Sequence, residues 1–192
     1  MFSVYLIVAL FGALIGSFLN VCIYRLPRHE SIAWPGSHCP SCSYPIAWYD
    51  NIPIVSYLIL LGRCRNCQVR IPLRYPVVEA LNALGYVGLL WFFGPDWSTA
   101  VYGLLYSALL VVAGTDLSHK IIPNAITFPG IVVGLVSAAT ILPLGLVNGV
   151  IGLFVGGGIL WFLAWVSPYL FGKEGMGGGD IKLLAMIGAF LG

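Results

Sequence analysis

The sequence predicts an all-α, polytopic membrane protein, and three observations carry that prediction. Apolar residues make up 59% of the 192-residue chain and charged residues only 8%, against about 25% charged in a typical globular domain. Mean hydropathy is +0.95. Apolar runs of helical length recur along the chain, and all nine Lys and Arg residues fall in the segments between alternate runs. So little polar surface cannot cover a water-soluble sphere, so the chain needs the lipid bilayer as its solvent. The same composition excludes a disordered protein and a nucleic-acid partner.

A spanning helix takes roughly 20 mostly apolar residues. The first run covers residues 1–24, with no charge before Arg25. Its basic residues follow the apolar stretch rather than precede it, which argues against a cleaved signal peptide. Residues 25–75 then form the one sizeable polar segment, with half of the charged residues and, counting Pro76, seven prolines. Their periodicity is too poor for an independent core, so this segment needs a staple. The second run covers about Pro76 to Phe93, with Glu79 in its first turn. The third covers about Ser98 to Thr115 and the fourth about Ala125 to Leu142. The fifth, about Leu146 to Leu170, is expected to be broken by Gly156, Gly157 and Gly158. The sixth begins near Ile181 and is still apolar at Gly192, too short to cross a bilayer. Further C-terminal helices, or a re-entrant segment, are therefore expected. The expected organisation is a first transmembrane helix (1–24), a cytosolic loop domain (25–75) and a helical core (76–192), with about six spans, the last truncated. Three pairs, Gly12/Gly16, Gly130/Gly134 and Gly152/Gly156, have the small-xxx-small spacing that lets helix backbones approach in lipid. Among 24 glycines such pairs also arise freely.

The basic residues set the orientation. Arg25, Arg28, Arg63, Arg65, Arg70 and Arg74 lie between the first and second runs, Lys120 between the third and fourth, and Lys173 and Lys182 between the fifth and sixth. The alternate connections, Gly94 to Trp97 and Pro143 to Gly145, have no cation. The positive-inside rule makes the basic side cytoplasmic and puts the N-terminus outside.

Cys39, Cys42, Cys64 and Cys67 form two C-x-x-C pairs separated by 21 residues, close to the spacing of structural zinc sites. Four thiolates would close a tetrahedron around zinc and supply the staple. Disulfides are disfavoured on the reducing cytosolic side, and a thiol oxidoreductase would want its cysteines on the oxidising face. His38 could also ligate, although four thiols suffice; Cys22, inside the first run, reads as a small buried hydrophobe.

Ionisable residues at the edge of an apolar run are functional hypotheses, and two stand out. Asp116 closes the third run and Asp180 opens the sixth, both at the cytoplasmic end. Two carboxylates brought close cannot both ionise easily, so one can serve as acid and the other as base. Gly177 and Gly179 before Asp180 would let the backbone approach a partner or substrate. Equally, Asp180 could only complement a helix dipole and Asp116 only pair with Lys120.

Several motifs occur in one order: Gly16-Ser17-Phe18-Leu19-Asn20-Val21 leading to Tyr24-Arg25-Leu26-Pro27, the paired C-x-x-C motifs, and Arg74-Tyr75-Pro76-Val77-Val78-Glu79. Asp116 then precedes Ile122-Pro123-Asn124, and Gly175 to Leu184 contains the G-x-G-D motif Gly177 to Asp180. In this set, over nearly its whole length, the chain resembles the bacterial prepilin peptidases, or type IV leader peptidases, which are intramembrane aspartic proteases. Members usually continue beyond the point corresponding to Gly192. The resemblance implies a hydrolase of the bacterial inner membrane that removes the leader of prepilins and pseudopilins, for type IV pili or type II secretion, cutting after a glycine just before an apolar helix. It also implies N-methylation of the new N-terminus from S-adenosylmethionine. Asp116 and Asp180 would be catalytic, supported by Gly177, Gly179, Lys182, Pro123 and Asn124, and Glu79 would contribute to methyl transfer. No glycine-rich fingerprint of a soluble methyltransferase is present, so that second activity comes from the resemblance alone. The competing readings are a non-catalytic zinc-stapled scaffold, a thiol oxidoreductase, and a small transporter, whose ionisable residues would sit nearer mid-membrane.

Overall fold

The structure, a computed structural model, describes residues 2–171 and 177–192. Among them the regular elements are helical: α1 (Phe2–Arg25), α2 (Val55–Ile59), α3 (Arg74–Phe93), α4 (Trp97–His119), α5 (Asn124–Thr140), α6 (Gly145–Phe171) and α7 (Gly178–Leu191). Two 3-10 turns, Leu26–Arg28 and Trp48–Asp50, punctuate the polar segment. Lys173, Gly175 and Met176 lie outside the described residues. Four helices are long and apolar enough to cross a membrane: Ser3–Arg28, Arg74–Phe93, Trp97–His119 and Gly145–Ser167. With 17 and 14 residues, α5 and α7 fall short of that length, so among the described residues four of the about six expected spans are matched by length and composition and the count of six is not confirmed. Packing divides the chain into two compact units, Met1–Pro95 and Asp96–Gly192, whereas the expected boundaries at 24/25 and 75/76 divide it by solvent.

In the first unit α1 packs along α3. The Gly12/Gly16 pair sits in this seam. A Cβ on Gly16 would lie 2.7 Å from the Cα of Glu79, and one on Gly12 would lie 2.9 Å from the Cα of Ala83. Two asparagines stitch the bare backbone they expose. The Asn82 amide donates to the Gly12 carbonyl (2.7 Å), and the Asn20 amide donates to Tyr75 (3.1 Å) and Gly16 (3.3 Å). In an apolar medium each such bond satisfies groups that water cannot reach. Arg25, buried at the end of α1, donates to the carbonyls of Ser31, Pro35 and Gly36, fixing the start of the polar segment.

In the second unit Asp96 caps α4 by accepting from the Ser98 backbone N–H at 3.1 Å, an N-cap of the ordinary kind. The helix ends where Lys120 turns left-handed (φ 56°) and its N–H reaches the Asp116 carbonyl at 2.9 Å. The short α7 lies against α5 and α6. Gly130 and Gly134 of α5 face Met186 and Phe190, while Gly152 and Gly156 of α6 face the α7 backbone at Gly188 and Leu184. All three glycine pairs therefore occupy helix seams. The expected break at Gly156 to Gly158 does not occur: α6 runs through them. A glycine in a helix weakens it without ending it, and Gly156 and Gly157 serve close packing on α7. Val101, Leu105, Leu142, Met186 and Phe190 form the buried centre of this unit.

Candidate active site and metal centre

The last turn of α4 is pinned from inside. Thr115 is fully buried and its hydroxyl donates back to Val111 (3.0 Å) and Val112 (2.9 Å). Asp116 follows, half-buried, on a helix end that cannot readily rotate. Asp180 is exposed in the first turn of α7, the helix that begins after Gly177. Two contacts bring that turn to the segment leaving α4. The Lys182 Nζ donates to Asn124 Oδ1 at 2.9 Å, and a Cβ on Gly179 would stand 3.0 Å from the Ile122 Cβ. Lys182 also lies over the Phe128 ring at 5.3 Å. The first turn of α7 thus lies against Ile122, six residues beyond Asp116, and both carboxylates belong to one end of this unit. Pro123 precedes the first residue of α5 and holds Asn124 there. Among the described residues no ion pair joins Asp116 to Lys120 and no hydrogen bond engages the Asp180 carboxylate. The surface ion pair of Asp116 therefore finds no contact to support it, whereas the place of Asp180 in the first turn of α7 also suits a carboxylate that complements the helix dipole. Two uncommitted carboxylates at one helix-end cluster can receive a water and a carbonyl, as acid–base hydrolysis requires.

The four cysteines converge. Their sulfurs all lie within 4.8 Å of one another, with Cys39 to Cys67 at 3.8 Å and Cys42 to Cys64 at 4.0 Å. Zinc–sulfur bonds of about 2.3 Å imply tetrahedral edges of about 3.8 Å, so the sulfurs fit zinc in number, type and spacing. Two equivalent turns position them. The Cys39 N–H donates to Tyr44 and the Ser43 N–H to Cys39; 25 residues on, the Cys64 N–H donates to Val69 and the Gln68 N–H to Cys64. Ser43 and Gln68 carry the same positive φ, 55° and 56°. The Tyr44 N–H draws the Cys42 thiol down to about 7. The N–H groups of Cys67 and Asn66 lower Cys64. For Cys67 the Val69 N–H pulls the same way, but desolvation and the neighbouring sulfurs hold the thiol at about 12. Four thiolates this close repel unless a cation compensates them, which is what a bound dication provides. His38 contacts the Gly36 carbonyl instead (3.0 Å). The segment is further tied by a bidentate Arg65–Asp50 pair at 2.7 Å, in which the Arg65 hydrogen bonds hold the Asp50 carboxyl below its usual range.

Among the described residues Glu79 forms no ion pair. It is buried in α3, accepts the Ile54 N–H at 2.7 Å and is hydrogen-bonded by Ser17. Sequence reasoning passed over its neighbours Asn20 and Asn82 as site residues. Their signal was an amide in an otherwise apolar run.

Comparison with known proteins gives consistent matches. Residues 10–93 match the bacterial peptidase A24 N-terminal domain and residues 103–192 the type IV leader peptidase family. A prepilin leader peptidase/N-methyltransferase of Aeromonas hydrophila is 40% identical over 210 residues, covering 97% of this chain and 72% of that protein. Proteins of the same description from Myxococcus xanthus (41% identical; all of this chain, 56% of that protein) and Pseudomonas aeruginosa (37%; 94% and 70%) are similar to it. The chain thus spans little more than half the length of the Myxococcus relative. No solved structure matches it.

Proposed function

We propose, because this chain belongs to the type IV leader peptidase family, that it is a membrane aspartic endopeptidase. It removes the leader peptide of prepilins or pseudopilins at the cytoplasmic face of the bacterial inner membrane and N-methylates the new N-terminus. The observation that carries the protease reading is the joining of the first turn of α7 to the segment after α4 through Lys182–Asn124 and Gly179–Ile122. It supports Asp116 and Asp180 as one catalytic pair. In that pair one carboxylate takes a proton from water while the other, protonated, gives its proton to the scissile carbonyl oxygen; as the tetrahedral intermediate collapses, the first passes its proton to the leaving amine and the second takes one back from the hydroxyl. Gly179 and Gly177 keep side chains out of the approach to Asp180, while Asn124 and Pro123 hold Lys182 and the α7 turn against α4. The substrate's apolar helix lies in the bilayer with its cut site at the interface where the aspartates sit.

The nine-to-zero distribution of basic residues supports an N-terminus outside, with the cysteine segment and both aspartates cytoplasmic. Residues 25–75 act as a cytosolic domain stapled by structural zinc on Cys39, Cys42, Cys64 and Cys67, and the protease core lies within 76–192. S-adenosylmethionine, when bound, supplies the methyl group, with Glu79 contributing to that step. Mass spectrometry of a prepilin incubated with the purified protein, with and without S-adenosylmethionine, tests the whole reading. A mass loss equal to the leader, plus a methyl group only when the donor is present, is expected. An intact prepilin sinks it.

A further inference from the structure

The middle of the polar segment is apolar on its outside. α2 carries Val55, Leu58 and Ile59 at positions i, i+3 and i+4, one face of a helix, and all three are exposed. Its polar side faces in. Ser56 is buried, its hydroxyl accepting the Ile52 N–H at 3.0 Å and donating to the Tyr49 carbonyl at 2.9 Å. Leu61, at the turn that follows, is 84% exposed, and Trp48, in the 3-10 turn packed on α2, is 81% exposed. Both values exceed those of every large apolar residue described in the spanning helices α1 and α3. Exposed apolar patches of this kind mark surfaces for a protein or a membrane.

Three observations say what covers it. The first is depth. The Ile54 N–H, just before α2, donates to Glu79 Oε2 at 2.7 Å. Glu79 lies past the first turn of α3, about 7.5 Å from Arg74 along the axis at about 1.5 Å per residue. Interfacial helices bury their apolar face about 5–10 Å into the boundary between headgroups and acyl chains. α2 therefore lies beside the first turns of a span and not above them. The second is continuity. The Gly62 carbonyl accepts the Ile71 N–H at 2.7 Å, and the Tyr57 hydroxyl donates to the Ile71 carbonyl at 3.4 Å. Two residues on, Leu73 opens the exposed row Leu73, Val77, Leu81 and Leu84, which α3, as a span, turns to lipid. The third is charge. Arg63 and Arg70 stand opposite each other across a bridge, both exposed, and among the described residues neither is in an ion pair. Like charges directly opposite destabilise such a pairing, and the phosphates of a lipid surface supply the missing anions.

We infer that Trp48 to Leu61 form an interfacial anchor on the phospholipid surface. In it α2 lies in the leaflet beside the start of α3, with Leu58, Ile59 and Leu61 at the acyl boundary and Arg63 and Arg70 among the phosphates. The inference rests on α3 being a span and not on the protease or methyl-transfer chemistry. It puts the second metal turn, which begins at Cys64, three residues from the bilayer, and holds the cysteine segment against the membrane instead of free in the cytosol.

Photo-cross-linking of the wild-type full chain tests this, in vesicles of phosphatidylethanolamine and phosphatidylglycerol. One preparation contains a phospholipid with a diazirine on its acyl chain near the headgroup, the other a phospholipid with the diazirine on the headgroup itself. Peptide mapping should find the acyl probe on residues 48–61 and on the Val77 to Leu84 face of α3, and the headgroup probe on residues 63–70. Replacing Leu58, Ile59 and Leu61 together by Asp should lower acyl labelling of the 48–61 stretch by about tenfold or more, since each lost apolar burial weakens insertion by at least about that factor. These side chains point outward, so α2 keeps its inner contacts; helical circular dichroism and unchanged labelling of α3 report folding and insertion. Acyl label on α3 with none on residues 48–61 would overturn the anchor and leave the patch to a second copy of the chain or to substrate. Acyl label on 48–61 with no headgroup label on 63–70 would overturn the phosphate contact. No label on α3 would overturn its reading as a span, and the anchor with it.

Discussion

The glycines of α6 make a paired prediction, because neighbours one turn apart or less meet different surroundings. A Cβ on Gly156 would lie 2.6 Å from the Leu184 carbonyl oxygen of α7, while one on Gly158 meets nothing within 4 Å. Ordinary carbon–oxygen contacts begin near about 3.3 Å, so Gly156→Ala must push the two backbones apart by about 0.7 Å. Neither atom belongs to a flexible side chain, so the strain cannot be absorbed locally. Overpacking of this kind costs about 1–3 kcal/mol. Leu184 is four residues beyond Asp180, and a displacement approaching 1 Å at a reacting group can cost about a hundredfold in rate. Gly156→Ala should therefore lower the unfolding temperature in detergent and reduce prepilin cleavage by one to two orders of magnitude, about tenfold to a hundredfold. Gly158→Ala should cleave normally and be up to about 1 kcal/mol more stable through helix propensity. Thermal unfolding and initial cleavage rates on the two variants side by side provide the assay. Equal behaviour of the two, in either direction, would refute the close seam between α6 and α7 as the support of Asp180.

Three further outcomes are expected. Freshly purified, reduced protein should contain one zinc per chain by elemental analysis, and serine at Cys39, Cys42, Cys64 or Cys67 should lose it, leaving the apolar helices in place. The Asp50–Arg65 tie should protect the loop from proteolysis near neutral pH. Because Arg65 lowers the Asp50 carboxyl, that protection is complete above the usual carboxylate range and is lost as pH falls through the depressed value. Asp50→Asn should proteolyse at a rate that does not change over that window. Reporters fused near Pro95 or Leu144 should read as outside, and those near Asp50 or Lys120 as cytoplasmic; a cytoplasmic signal at Leu144 would separate the two aspartates across the membrane.

The long helices were legible because lipid forces a simple code: apolar runs of about 20 residues with cations at alternate ends. The cysteine cluster was legible because metal-ligand spacing is local in sequence. The glycine pairs were readable only as a possibility, since spacing says that a backbone can approach and not what approaches it. Gly156 looked like a helix breaker by propensity, and tertiary contact with Leu184 gave it another purpose. Glu79 was visible as a charge at the start of an apolar run, but its partner Ile54 lies 25 residues away in a segment without periodicity. The bonds from the Asn20 amide to the carbonyls of Gly16 and Tyr75 are likewise invisible in the sequence. Contacts that join distant turns, such as Lys182 to Asn124, 58 residues apart, are set by packing and leave no periodic trace.

The most direct measurement for the proposed pairing of the aspartates is prepilin cleavage by Asp116→Asn, Asp180→Asn and the double variant, each checked for folding and membrane insertion. Asparagine keeps size and polarity while removing the charge and the exchangeable proton. Residues that act as a unit are non-additive. Each single variant should therefore lose cleavage by several orders of magnitude, and the double variant should be scarcely worse than either. If Asp180 only complemented its helix dipole, its loss would cost about 1 kcal/mol or less of stability and leave turnover nearly intact. Substantial cleavage by a folded, inserted Asp180→Asn protein would contradict the account.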